Sequence, residues 1–124
     1  MLFSHICVGT NNIEKAKKFY DAIFKVMNLS DSGFDKKGRP FYAKDGQKLI
    51  ICKPINGQAA TYSNGGTIGF QMNSPEQVNQ FHAAGIANGG VSIEDPPGLR
   101  KGTNKYLAYL RDPDGNKLCA FYEE

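Results

Sequence analysis

"LRDPDGNKLCAFYEE", residues 110–124, sets two aspartates, a proline and a glycine directly ahead of an apolar run that carries a cysteine. A calcium-binding loop needs oxygen ligands at alternate positions and glycine at the sixth, and here Gly115 comes fourth counting from Asp112. The stretch reads instead as a turn: Pro113 presets an early turn position, and Asp-Gly stands between two runs able to pair as strands. The same signal occurs upstream. "DGQKLIICK" from Asp45 and "DGNKLCAFY" from Asp114 both place Lys and Leu two and three residues after glycine, 69 residues apart.

The rest of the chain repeats with it. Leu2 to Gly9 alternates like a strand and gives way to apolar residues at Ile13, Ala16, Phe19, Tyr20, Ile23 and Met27, the spacing of an amphipathic helix. Thr67 to Met72 is a second β-prone run, followed by Ser74 as helix cap, Pro75 at the first helical position and Gln77 completing a capping box. Val78, Phe81, His82 and Gly85 then fall 62 residues after Ala16, Phe19, Tyr20 and Ile23. Further strands are expected near Leu29 to Phe34 and Phe41 to Lys44 in the first half, and near Gly90 to Glu94 and Tyr106 to Arg111 in the second. Each half thus reads strand, helix, three strands. Residues 1–124 form one domain on this reading, with a first module over about 1–55, a turn-rich linker over 53–66 and a second module over about 66–124. Units this small bury little surface alone, so a shared core is expected.

Composition narrows the function. The 124 residues are 40% hydrophobic and 22% charged, which suits a compact domain rather than a disordered chain. The net charge of +3 is scattered apart from Lys15, Lys17 and Lys18 on one helix, and makes no case for nucleic acid as a partner. No apolar run approaches the roughly 20 residues that span a bilayer, and the first ten residues lack the features of an export signal. Three cysteines without close spacing fit free thiols. A cytoplasmic protein without nucleic-acid or membrane partners is expected.

Strand alternation assigns faces. Ile6 and Val8, Ile68, Phe70 and Met72, Leu49 and Ile51, and Leu118 and Ala120 are expected to back the helices. The opposite face then carries Phe3, His5 and Cys7, then Thr67, Gly69 and Gln71, then Lys48, Ile50 and Cys52, and finally Lys117, Cys119 and Phe121. Such a mixed face lines a cleft or meets a partner. His82 on the second helix reads as a packing residue.

The segments "SHICVGTNNIEKAKKFYDAIF", "FHAAGIANGG", "PGLR" at 97–100 and "YLAYLRDPDGNKLCAF" together resemble the vicinal oxygen chelate superfamily, which contains glyoxalase I, bleomycin and fosfomycin resistance proteins and extradiol dioxygenases. The resemblance implies an α+β fold of two βαβββ modules forming a curved mixed sheet around a cup, helices on the outer face, within a homodimer. It also implies one divalent metal, held by histidines on the first strand of each module and a glutamate on the last. His5 matches the first position; the others fall on Thr67, Cys119 and Ile50. That set lacks a hard-ligand shell, so no metal and no cofactor are expected. Zinc or another divalent metal is the alternative, with His5 and Cys119 as its candidates and Cys7 beside them. The residues expected to line the cup are His5, Cys7, Ile50, Thr67, Gln71, Arg100, Tyr106, Cys119 and Phe121, with Arg100 meeting an anionic group beside Tyr106. The reading is a glyoxalase- or bleomycin-resistance-like protein that binds a small organic molecule without a catalytic metal. The alternative is a metal-dependent lyase or isomerase acting on a small carbonyl or hemithioacetal.

Overall fold

The computed structural model describes residues 2–30 and 33–124. Its elements run β1 (His5–Gly9), α1 (Ile13–Val26), β2 (Phe41–Lys44), β3 (Gln47–Cys52), β4 (Ile68–Gln71), α2 (Pro75–Ala87), β5 (Val91–Ser92), β6 (Gly98–Leu99), β7 (Lys105–Arg111) and β8 (Lys117–Glu123). The α+β class agrees with the sequence. The strand expected near Leu29 to Phe34 lies partly outside the described residues, and Phe34 contributes an isolated bridge to Pro40. The short β6, which pairs β7, was not expected.

Helix α2 begins at the Ser74 cap that the sequence placed, and α1 begins at Asn12, for which no cap was expected. Asn12 accepts from the Lys15 N–H at the start of α1, and Ser74 accepts from the Gln77 N–H at the start of α2. Gln77 closes its box one residue early, accepting from the Asn73 N–H at 2.7 Å, while its Nε2 donates to the Val26 carbonyl at the end of α1. One capping residue therefore ties the two helices together.

The strands form two sheets instead of one continuous curved sheet. The order is β1-β3-β2 in the first and β4-β8-β7-β5 in the second, so β1 and β4 are both edge strands, and among the described residues they are not paired to each other. In each half the first strand pairs parallel with the last, across the helical crossover. One buried cluster joins the halves: Val8, Leu49 and Ile51 from the first sheet, Ala108, Leu118 and Ala120 from the second, and Phe19, Tyr20, Ile23, Val78 and Phe81 from the helices. Phe24 packs edge-on to Phe70 and Phe70 against Phe81, carrying the aromatic core from α1 to α2.

The opening stretch is the second tie between halves. Asp112, buried, accepts from the Asp114 and Asn116 N–H groups through Oδ1, and from the Tyr20 hydroxyl at 2.6 Å through Oδ2. Asn116 Nδ2 donates both to Asp112 and to the Gly9 carbonyl, and Asp114 accepts from the Asn11 N–H. Burial, then the negative charge and hydrogen bond of Asp112, hold the Tyr20 hydroxyl well above its ordinary range. The unfolded chain ionises this tyrosine near pH 10 while the folded chain keeps the proton, so its contribution is intact below that pH and is lost as pH rises toward the folded value. Denaturant titrations above pH ~10 are expected to show stability falling by up to ~1.4 kcal/mol per pH unit from this group, a component that Tyr20→Phe removes.

Candidate functional site

The residues left open by the helices fall into two groups, one per sheet. On the first sheet His5, Cys7, Lys48, Ile50, Cys52 and Phe41 share a face, because Cys7 and Phe41 both register with Ile50 and His5 registers with Lys48. The His5 ring is exposed, with Nδ1 2.8 Å from Ser4 Oγ. Above this face stands a tight turn, in which Asp35 accepts from the Lys37 and Arg39 N–H groups and from Arg39 Nε at 2.6 Å. The Arg39 N–H is the foremost cause holding the Asp35 carboxyl below its usual range, so it is ionised and already engaged.

Between the turn and the sheet lies a cavity of about 280 Å³. Phe41 and Ile50 form its apolar floor and Asp35, Lys36, Lys37, Arg39 and Lys48 its walls, four cations to one carboxylate. Lys48 Nζ sits 4.9 Å from the centre of the Phe41 ring. Among the described residues no carboxylate is ion-paired with Lys36, Lys37 or Lys48. The cavity is therefore cationic with an aromatic base, suited to an anionic group attached to an apolar body.

The second sheet's open face is more filled. Cys119 lies beside Gly69 on β4 and Tyr109 on β7 and is buried. Burial pushes its thiol up, against the hydrogen bond from Tyr109 and the charges of Arg100 and Lys117, so the thiol stays protonated and inert at neutral pH. Lys117 Nζ is 4.8 Å from the Tyr109 ring and forms an ion pair with Glu94, which adopts a left-handed backbone at φ +58°. Arg100 turns its guanidinium onto its own loop, donating to the carbonyls of Asp95, Pro96 and Gly98, 6.0 Å from the Tyr109 ring.

Gln71 is exposed and spends its amide on the Met72 carbonyl, beside half-buried Phe121, its partner in β8. Thr67 is exposed just before β4. Tyr106 departs from expectation. Its strand alternation turns it toward α2, where its hydroxyl meets Asn79 at 3.1 Å and its ring packs on the core, so it lines no cup beside Arg100. His82 packs as expected, half-buried, with Nε2 2.9 Å from Ser92 Oγ and its pKa lowered by burial.

Sequence reasoning missed Tyr109, Glu94 and the cationic cavity. Tyr109 follows from the hairpin register once Cys119 is placed, and the run Lys36-Lys37-Gly38-Arg39 was a visible charge cluster. Nothing local signals the left-handed Glu94.

The model for the Glyoxalase/Bleomycin resistance protein/Dioxygenase superfamily matches residues 2–120. The chain belongs to this superfamily. It is similar to a solved glyoxalase/bleomycin resistance protein from Albidiferax ferrireducens T118, 52% identical over the whole of both chains with a TM-score of 0.92. A glyoxalase-related enzyme from Fulvimarina pelagi shares the fold at 19% identity and a TM-score of 0.77, covering 99% of this chain and 88% of that one. A Brassica oleracea var. gemmifera protein named "Putative lactoylglutathione lyase" is 25% identical over 117 residues, 91% of this chain. The chain spans only 41% of that relative's length.

Members of the superfamily often bind a divalent metal, and the positions matched to its ligands are occupied here by His5, Thr67, Cys119 and Ile50. His5 and Ile50 lie on the first sheet and Cys119 on the second, with Thr67 at its edge. Among the described residues no three His, Cys, Asp or Glu side chains converge to hold an ion. A hydroxyl, a protonated thiol and an isoleucine cannot replace imidazole and carboxylate around a hard cation.

Proposed function

We propose that this protein binds a small organic anion on the open face of its first sheet, without a catalytic divalent metal. The carrying observation is the cavity in which Lys36, Lys37 and Lys48 are ion-paired with no carboxylate among the described residues and whose floor is Phe41 and Ile50. Its volume of about 280 Å³ favours a small acid or phosphate ester over a large antibiotic. The edges of β1 and β4, unpaired among the described residues, support a homodimer in which the first sheet of one copy meets the second sheet of another and deepens the cup, measurable as mass by light scattering. Three free thiols suit a cytoplasmic setting.

The test is a calorimetric and melting screen of aromatic carboxylates and phosphate esters, each beside its neutral analogue, in chelator-treated protein. A binder present at 100 times its Kd is expected to stabilise the fold by ~2.7 kcal/mol. Lys48→Gln is expected to weaken it about tenfold, and Lys36→Gln with Lys37→Gln by a similar further factor. Neutral analogues that bind equally well would remove the reading. The name of the Brassica relative favours a second reading, a lyase; metal-dependent turnover of a glutathione hemithioacetal by this chain would establish it and displace the first.

A further inference from the structure

Cys7 and Cys52 take no part in the anion reading, yet they are neighbours. β1 and β3 are parallel, with Cys7 beside Ile50 and Gly9 beside Cys52, so the two cysteines sit diagonally on one face of adjacent strands. Cys7 is exposed and Cys52 half-buried, the Cys52 thiol resting 3.7 Å from the Val8 carbonyl. The Cys52 thiol thus leans toward β1, on the side of the sheet that carries Cys7, and the positive charge of Arg39 acts on both thiols.

Parallel strands about 4.8 Å apart, with a rise of about 3.3 Å per residue, put neighbours two residues out of register about 8 Å apart between Cα atoms, whereas a disulfide closes below about 7 Å. Two sulfurs in this relation are poorly placed to bond to each other at about 2.0 Å, but a metal about 2.3 Å from each spans the longer gap. Zinc asks for three or four protein donors, and none of the described groups supplies a third. His5, two residues before Cys7, is tied to Ser4. Two soft thiolates without further donors complete the shell of one kind of ion, a thiophilic monovalent cation that accepts two ligands in line.

We propose that Cys7 and Cys52 form a two-sulfur site for copper(I) on the open face of the first sheet. On binding, two S–H bonds break and two S–Cu bonds form; both protons go to solvent and no electron is transferred. The product carries one negative charge, which the Arg39 guanidinium, itself paired with Asp35, offsets only in part. Burial and then Cys7 push the Cys52 thiol up, against the pull of Arg39, so protons compete with the metal and affinity is expected to rise with pH.

The experiment titrates the reduced full chain with copper(I) under anaerobic conditions, in competition with a chromophoric copper(I) chelator. The expected result is one ion per chain and a new ultraviolet sulfur-to-metal charge-transfer band. Cys7→Ser and Cys52→Ser are each expected to weaken binding at least about a hundredfold with unchanged melting of the metal-free protein, while Cys119→Ser, on the other sheet, leaves it unchanged. Silver(I) serves as a redox-inert second probe and is expected to follow the same pattern. Equal loss in Cys119→Ser, or copper retained in both Cys7→Ser and Cys52→Ser, would overturn the proposal. Anion binding is read separately on metal-free protein, so either idea can fail while the other stands.

Discussion

Asp112→Ala is expected to cost ~4 kcal/mol and to lower Tm by about 15 °C. Its carboxylate organises the loop at 112–116 and caps the buried Tyr20 hydroxyl across 92 residues of sequence. Removal deletes a short hydrogen bond to a charged acceptor and leaves the Tyr20 hydroxyl buried without its partner, which together account for ~3 kcal/mol. The N–H groups of Asp114 and Asn116 lose their acceptor as well, but they lie near solvent and water replaces part of it. A double-mutant cycle separates the two parts. In a Tyr20→Phe background the cost of Asp112→Ala is expected to drop by ~1–2 kcal/mol, because no hydroxyl is left stranded. Additive effects in that cycle would show that the loop alone explains the loss.

Gly90→Ala is the second large effect, expected at ~3 kcal/mol, or about 10 °C in Tm. Helix α2 ends in a left-handed residue, Gly89 at φ +100°, after which the Gly90 N–H returns to the Gly85 carbonyl at 2.8 Å. A methyl group on Gly90 would stand 2.7 Å from the Phe19 ring, 2.8 Å from the Gly85 carbonyl oxygen and 3.0 Å from that of Arg111. Two of those neighbours are backbone, one terminating the helix and the other ending β7, so neither yields without breaking a hydrogen-bonded element. Gly69→Ala is the control. Its added methyl meets nothing within 4 Å and its backbone is not left-handed, so urea titration is expected to find a change within ~0.5 kcal/mol. Equal destabilisation at both positions would point to helix and strand propensity in place of the close approach.

The two Asp-Gly pairs show how far local sequence reaches. At Asp45-Gly46 both residues have positive φ and the flanking Lys44 and Gln47 pair directly, a two-residue hairpin. At Asp114-Gly115 the same dipeptide sits inside a longer loop between Arg111 and Lys117, built on the Asp112 side chain. Sequence marked both as turns and gave the strands after them the right inward faces, Leu49 with Ile51 and Leu118 with Ala120. What separated the turns was a distant partner, Tyr20, that no local signal names.

The site was legible to a lesser degree. His5, Cys7 and Ile50 do share one face, as alternation required. Tyr106 lies on the other face, because the β7–β8 register puts Tyr109 opposite Cys119 and a residue three positions earlier on the strand points the opposite way. Arg100 looked free for a ligand, yet its loop folds so that three of its own carbonyls take the guanidinium.

By itself, then, the sequence determined the superfamily, the two helices with the Ser74 cap and the helix-facing side of β1, β3, β4 and β8, because periodicity and capping are set by residues within a few positions of one another. Tertiary structure alone decided that the strands divide into two sheets, that an Asp35-Arg39 turn roofs a cationic cavity, and that Cys7 and Cys52 lie diagonally on adjacent strands. Each of these depends on which edges pair and on where charges settle relative to one another across the fold, and that information resides in the packing of distant segments, not in any local pattern.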